Sequence, residues 1–346
     1  MTRPHYLAFV GTNSVRGSKG IYSVAIDAET LQPTLAATHQ VYNTGALSIS
    51  AARNRLYAAS EGMTFRGLAD GGVYGYSYDE TGVLTELGAA RSHGQRTCAV
   101  AVDDGEGCVY GANFYRGTWA KWPLDAGGAP QPAQLVVAPP DDCPGAFLKA
   151  LHCIAPIGGG YVGVISLTEC ALIIYNAADG SRAAEYVFPG RPFCRYLTAC
   201  GNYIYALMQD PGDVYVFENH LPENGGIRLI QTISVQRRPL EHYGTTTLRA
   251  TPDGKLMLAA TRSANSLTVF RILADGRLEL GDVVALPGET PRDFGISQDG
   301  VFTVTCLQKS DEVCIHRIDY QNATLRDTGC KLHIPSPAAM AITGRL

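Results

Sequence analysis

A unit of about four short strands recurs along this chain, and that recurrence restricts the fold more than any other feature. The plainest copy is LRATPDGKLMLAATRSANSLTVFRILADGRLEL at Leu248–Leu280, and it returns as FGISQDGVFTVTCLQKSDEVCIHRIDYQNATL from Phe294. Each copy reads strand, Asp-Gly turn, strand, short loop, alternating strand, turn, and a last strand after a Gly-x-Leu-like step. Four strands per repeat is the blade of a β-propeller.

The third strand of the unit can be followed from end to end. It appears as GIYSVAID from Gly20, GVYGYSYD from Gly72, GTWAKWPLD from Gly117, ALIIYNA from Ala171, DVYVFE from Asp213, SLTVFRI from Ser266 and EVCIHRI from Glu312. These seven copies, spaced roughly 40 to 55 residues apart, predict an all-β, seven-bladed propeller with four antiparallel strands per blade. The first copy opens on a second strand, YLAFVGT, while the last residues, PAAMAIT, form a first strand with nothing after it. Pairing Ala338–Thr343 with Tyr6–Thr12 would close the ring and remove an open sheet edge. No linker interrupts the scheme, so residues 1–346 are expected to form one propeller domain.

Composition agrees and narrows the partners. The 38 glycines and 46% hydrophobic residues suit many short strands joined by tight turns. Net charge is −4 with no Lys/Arg cluster, which gives a nucleic-acid or anionic-membrane partner no electrostatic basis. The start lacks the apolar core of a signal peptide, and no run is long enough to span a bilayer. Cys98, Cys108, Cys143, Cys153, Cys170, Cys194, Cys200, Cys306, Cys314 and Cys330 include no C-x-x-C pair, and several sit in apolar strands such as VTCL. Reduced, packed thiols and a cytoplasmic location are therefore expected.

Antiparallel pairing puts the start of every first strand and the end of every second strand on one face of the disk. First strands line the central channel, so these positions should converge on one mouth, where concavity favours ligand binding. The strand starts are Thr44, Cys98, His152, Arg195, Thr246, Arg292 and Ser336; the second-strand ends are Asn13, Glu61, Asn113, Ser166, Gln209, Arg262 and Gln308. Arg195, Arg262 and Arg292 directed at one volume would repel unless an anion fills it, and Arg grips carboxylate or phosphate bidentately. The alternative is that each pairs with an acid such as Glu61, Asp210 or Asp293. His152, in FLKALHCIAP, is either a satisfied core histidine or a base near neutral pH. No metal-ligand spacing, Gly-rich phosphate loop or G-x-S-x-G elbow is present, and no cofactor is expected.

With these residues in view, the chain resembles the seven-bladed propeller lactonases, a family with a 6-phosphogluconolactonase branch and the fungal carboxy-cis,cis-muconate cyclases. TPDGKLMLAATRSANSLTVFRI followed by TPRDFGISQDG carries the resemblance most strongly, and GIYSVAID extends it to the front of the chain. The resemblance implies a catalytic cluster at His152 in LHCIAP, Arg195 in CRYLTA and Arg262 in ATRSAN, with Arg292 in the Pro291–Phe294 phrase. Glu61 in LYAASEG matches an acid common at that point in the family, and Glu61, Asn113 and Arg292 are the expected substrate-binding residues. The fourth catalytic position departs: YALMQD places Gln209 where the family has Glu. Ser166 likewise stands where relatives often have Asp, and Ala99 where many have His.

An amide accepts a hydrogen bond but cannot carry the charge that raises the basicity of a nearby imidazole. Three activities stay open on this reading. The first is hydrolysis of a small anionic sugar lactone, with His152 as base, Arg195 or Arg262 on the oxyanion, and Arg292 or the other of that pair on the anionic group. The second is cyclase-type isomerisation, and the third is a non-catalytic propeller that binds a small anion or a protein.

Overall fold

The computed structural model describes residues 5–138, 150–223 and 225–346. Cys143 of the sequence reading lies outside the described residues. Seven four-stranded antiparallel sheets follow one another around the disk. Six are contiguous in sequence: blade 2 runs over 47–91, blade 3 over 95–137, blade 4 over 151–187, blade 5 over 193–234, blade 6 over 245–285 and blade 7 over 291–333. Blade 1 takes its inner strand from the C-terminal end, in the order Pro337–Ile342, His5–Thr12, Gly20–Asp27, Pro33–Gln40. Its register pairs Ala8 with Ile342 and Val10 with Met340, so the ring closes as the termini predicted.

The second strand of each blade reads as a near-continuous buried run because each sheet is covered on both faces. In YLAFV, alternate side chains point to opposite faces. Tyr6, Ala8 and Val10 pack against Phe302 and Val304 of blade 7, whereas Leu7 and Phe9 pack against Leu56 and Ala58 of blade 2. Tyr6 meets Phe302 edge to face at 4.9 Å between ring centroids. Burial falls off toward the rim, where the outer strand Pro33–Gln40 alternates exposed and half-buried residues. What the fold does for function is therefore concentrated at the inner strands, whose first residues ring the channel.

Candidate active site

Six of the seven inner strands carry a register shift near their first residues. In blade 4, Leu151 pairs with Ser166 and Cys153 with Ile165, leaving His152 bulged between them. The same step leaves out Cys98 in blade 3, Arg195 in blade 5, Thr246 and Thr247 in blade 6, Arg292 in blade 7 and Ala338 in blade 1. A bulge inserts an unpaired residue, bends its strand and re-aims a side chain that strict alternation would send into the inter-blade packing. All of these bulged residues line one cavity of 280 Å³ at the channel mouth. Glu61 and Arg262, which follow the second strands of blades 2 and 6, line it as well.

The cations in this cavity are unequally matched. Arg96 pairs with Glu61 at 3.2 Å, and deeper in the channel Arg249 pairs with Asp293 at 3.3 Å. Asp210, the third acid considered for pairing, accepts the backbone N–H groups of Tyr243 at 2.6 Å and Gly244 at 3.3 Å. Among the described residues, Arg195, Arg262 and Arg292 are thus left without a carboxylate within ion-pair distance. Arg195 donates through Nη1 to the neutral Gln209 Oε1 at 2.7 Å, and Arg262 donates through Nε to the Gly244 carbonyl at 2.8 Å. Arg292 has no hydrogen-bond partner among the described residues. Arg195 is only 6% exposed, and its Nε is buried without a partner. Burial, then the Arg292 and Arg262 guanidiniums, push Arg195 well down from its usual value. Burial and the nearby Arg292 lower Arg262 in the same way. Concentrated, buried positive charge of this kind is relieved by an anion.

His152 sits at the edge of this charge. Phe114 and Phe193 flank its ring edge to face, at 6.2 and 6.4 Å between centroids. Burial, followed by the charges of Arg195 and Arg292, holds the imidazole well below its ordinary value, so the ring is neutral at pH 7. Its Nδ1 is buried with no hydrogen-bond partner among the described residues. Cys98 and Cys153 also line the cavity. Burial pushes both thiols up, Cys153 to about 11, which keeps them protonated and weakly nucleophilic at neutral pH.

Of the positions expected at the mouth, Thr44, Ser336, Asn13, Ser166 and Gln308 do not line the cavity, and two of the residues named for the site, Asn113 and Gln209, stand elsewhere as well. Asn113 is fully buried within the strand Cys108–Tyr115, where its amide accepts from Thr97 at 2.7 Å and donates to Thr118 at 2.8 Å. It does not line the cavity, because the following residue, Phe114, takes the position facing it. Gln209 does not line it either; it stands behind Arg195 and fixes that guanidinium. Sequence reasoning missed Arg96, whose guanidinium lies over the Phe114 ring at 5.0 Å and whose φ is +57°. It also missed Phe193 and the Arg249–Asp293 pair, which line the same cavity. The adjacent Q-R-T-C in the sequence was a usable signal for Arg96, since it places a charge two residues before a strand-start position.

Residues 7–342 match the family described as "Lactonase, 7-bladed beta-propeller". The chain belongs to that lactonase family. Among its relatives, a 6-phosphogluconolactonase of Bacillus subtilis is 25% identical over 97% of both chains. Another 6-phosphogluconolactonase, from Sodalis glossinidius, is 26% identical over 73% of this chain and 76% of its own. The periplasmic gluconolactonase of Pseudomonas aeruginosa superposes with a TM-score of 0.86 at 20% identity, covering 98% of this chain and 99% of that one. That likeness shows the shared fold. Within this lactonase-family propeller, the mouth cavity is the concave site that gathers the neutral histidine and the unpaired arginines.

Proposed function

We propose that this chain is a hydrolase that opens a small lactone carrying an anionic group, with the mouth cavity as its active site. The observation that carries the reading is a neutral imidazole beside three guanidiniums that have no carboxylate partner among the described residues. Family membership and the relatives' names favour hydrolysis over the cyclase alternative.

The proposed chemistry balances with water as the sole co-reactant. His152 takes a proton from water as the water oxygen attacks the lactone carbonyl carbon. The carbonyl π electrons move onto oxygen, where Arg195 and Arg262 stabilise the developing oxyanion. When the carbonyl re-forms, the ring C–O bond breaks and the leaving alkoxide recovers the proton from His152. Arg292, which has no hydrogen-bond or ion-pair partner among the described residues, holds the substrate's anionic group. Gln209 acts at one remove, positioning Arg195 without neutralising it. Glu61 fixes Arg96 at the cavity wall. A cytoplasmic location is part of the same reading, supported by buried cysteines such as Cys153, Cys194 and Cys306 packed singly as thiols.

The test is ring opening by the purified protein, measured above the spontaneous rate, on a panel including 6-phosphogluconolactone, glucono-1,5-lactone and a muconate. Turnover of a lactone that falls at least about a hundredfold in His152→Ala is the expected result. Turnover of the muconate alone would replace hydrolysis with the cyclase activity, and full activity in His152→Ala would remove the histidine from the mechanism.

A further inference from the structure

A second cavity, of 490 Å³, adjoins the first, and the Glu61–Arg96 ion pair lines both. The far side of that wall differs in chemistry from the arginine-rich side. Tyr42 is 63% exposed, Met63 51% and Val15 52%, and all three line this second cavity together with Tyr115. The side chains that add polarity are Asn13, Asn43 and Thr64. Asn43 spends its amide oxygen on the backbone N–H of Ser14 at 2.7 Å, which leaves its NH₂ group to donate elsewhere. The Asn13 side-chain amide has no partner among the described residues. Exposed aromatic and thioether faces interleaved with free amides suit a ring that is apolar on its faces and hydroxylated at its edge, which describes a pyranose.

The wall between the cavities is the Glu61–Arg96 ion pair and the rings beside it. Arg96 is held by Glu61 on one side and by the Phe114 and Tyr115 rings on the other, the latter at 5.9 Å. Glu61 in turn lies so close over Gly45 that a Cβ there would collide with its carboxylate. The two cavities therefore meet at a charged threshold formed by the Glu61–Arg96 pair.

We infer that the second cavity is a subsite for a sugar ring attached to the lactone, so that the preferred substrate is a glycosyl-substituted aldonolactone that spans the Glu61–Arg96 wall. This rests on the hydrolase reading above, and the test separates the two. Cellobiono-1,5-lactone and glucono-1,5-lactone both lack an anionic group, so the arginine cluster acts equally on them and their comparison isolates the added ring. Covering a ring face on Tyr42 and Met63 predicts a kcat/KM for the two-ring lactone about tenfold above the one-ring lactone. Tyr42→Ala should bring that ratio toward one, chiefly through KM, and Tyr42→Phe, which keeps the ring face, should retain it. Calorimetry with the product acids, cellobionate and gluconate, should show the same order of affinities. A wild-type ratio near one with equal affinities for the two acids, or a ratio that Tyr42→Ala leaves unchanged, overturns the subsite while leaving hydrolysis standing. Absence of turnover on every lactone, with no preference between the acids, overturns both.

Discussion

At the scale of single residues, the replacement of an acid by Gln209 sets the character of the site. A carboxylate beside Arg195 would cancel one of the three free positive charges and favour protonation of His152. The amide does neither. Burial and the guanidiniums of Arg195 and Arg292 lower the histidine, so the ring stays neutral to lower pH than a free imidazole. Activity that needs the neutral ring should therefore hold a plateau through pH 6.5 and fall only on the acid side of it, as a pH–rate profile of kcat/KM will measure. Gln209→Glu puts a negative charge nearby, stabilises the imidazolium and moves that acid limb upward. An unshifted limb in the variant would separate Gln209 from the electrostatics of His152. Arg292→Ala should weaken binding of an anionic lactone about tenfold or more, read as a rise in KM, since it removes the charge-assisted contact to the substrate's anionic group.

At the scale of the element, the bulge decides which residues serve the cavity. His152, Cys98, Arg195 and Arg292 reach it because the inner strands break register there, whereas their neighbours return to the inter-blade core. Asn113 shows the opposite case. It lies opposite Thr97, before the bulge at Cys98, and spends its amide on Thr97 and Thr118. Removing that amide leaves buried groups unpaired, so Asn113→Ala should destabilise the fold by about 1–3 kcal/mol in chemical denaturation. A stable variant with lost substrate affinity would instead place Asn113 in the binding site. The second-strand ends are less uniform: Glu61 and Arg262 face the cavity, while Gln209 stops one layer behind it.

At the scale of the molecule, closure joins the two ends of the chain in blade 1. The closing strand buries Met340 and Ile342 against blade 7 and its neighbours, and it also delivers a backbone N–H from Met340 to Asp293 at 2.8 Å. Asp293 is the partner of Arg249 beneath the active site, so closure and the floor of the cavity are coupled. Deleting Ala338–Leu346 removes about 5 kcal/mol of apolar burial and should lower the melting temperature by roughly 10 °C or more; an unchanged melting curve would contradict the role of that strand. The seven blades and the split blade 1 were legible in the sequence because strand alternation and Asp-Gly turns are local signals that repeat. The strand-start rule likewise named His152, Arg195 and Arg292, since chain direction fixes which end of a strand faces which side of the disk. What the sequence could not decide was how charges separated by many residues would pair. Glu61 turned to Arg96 and Asp293 to Arg249, which left Arg195, Arg262 and Arg292 without an acid partner among the described residues. A one-residue bulge reverses the direction of a side chain at no visible cost in pattern, and pair distances exist only once the ring has closed.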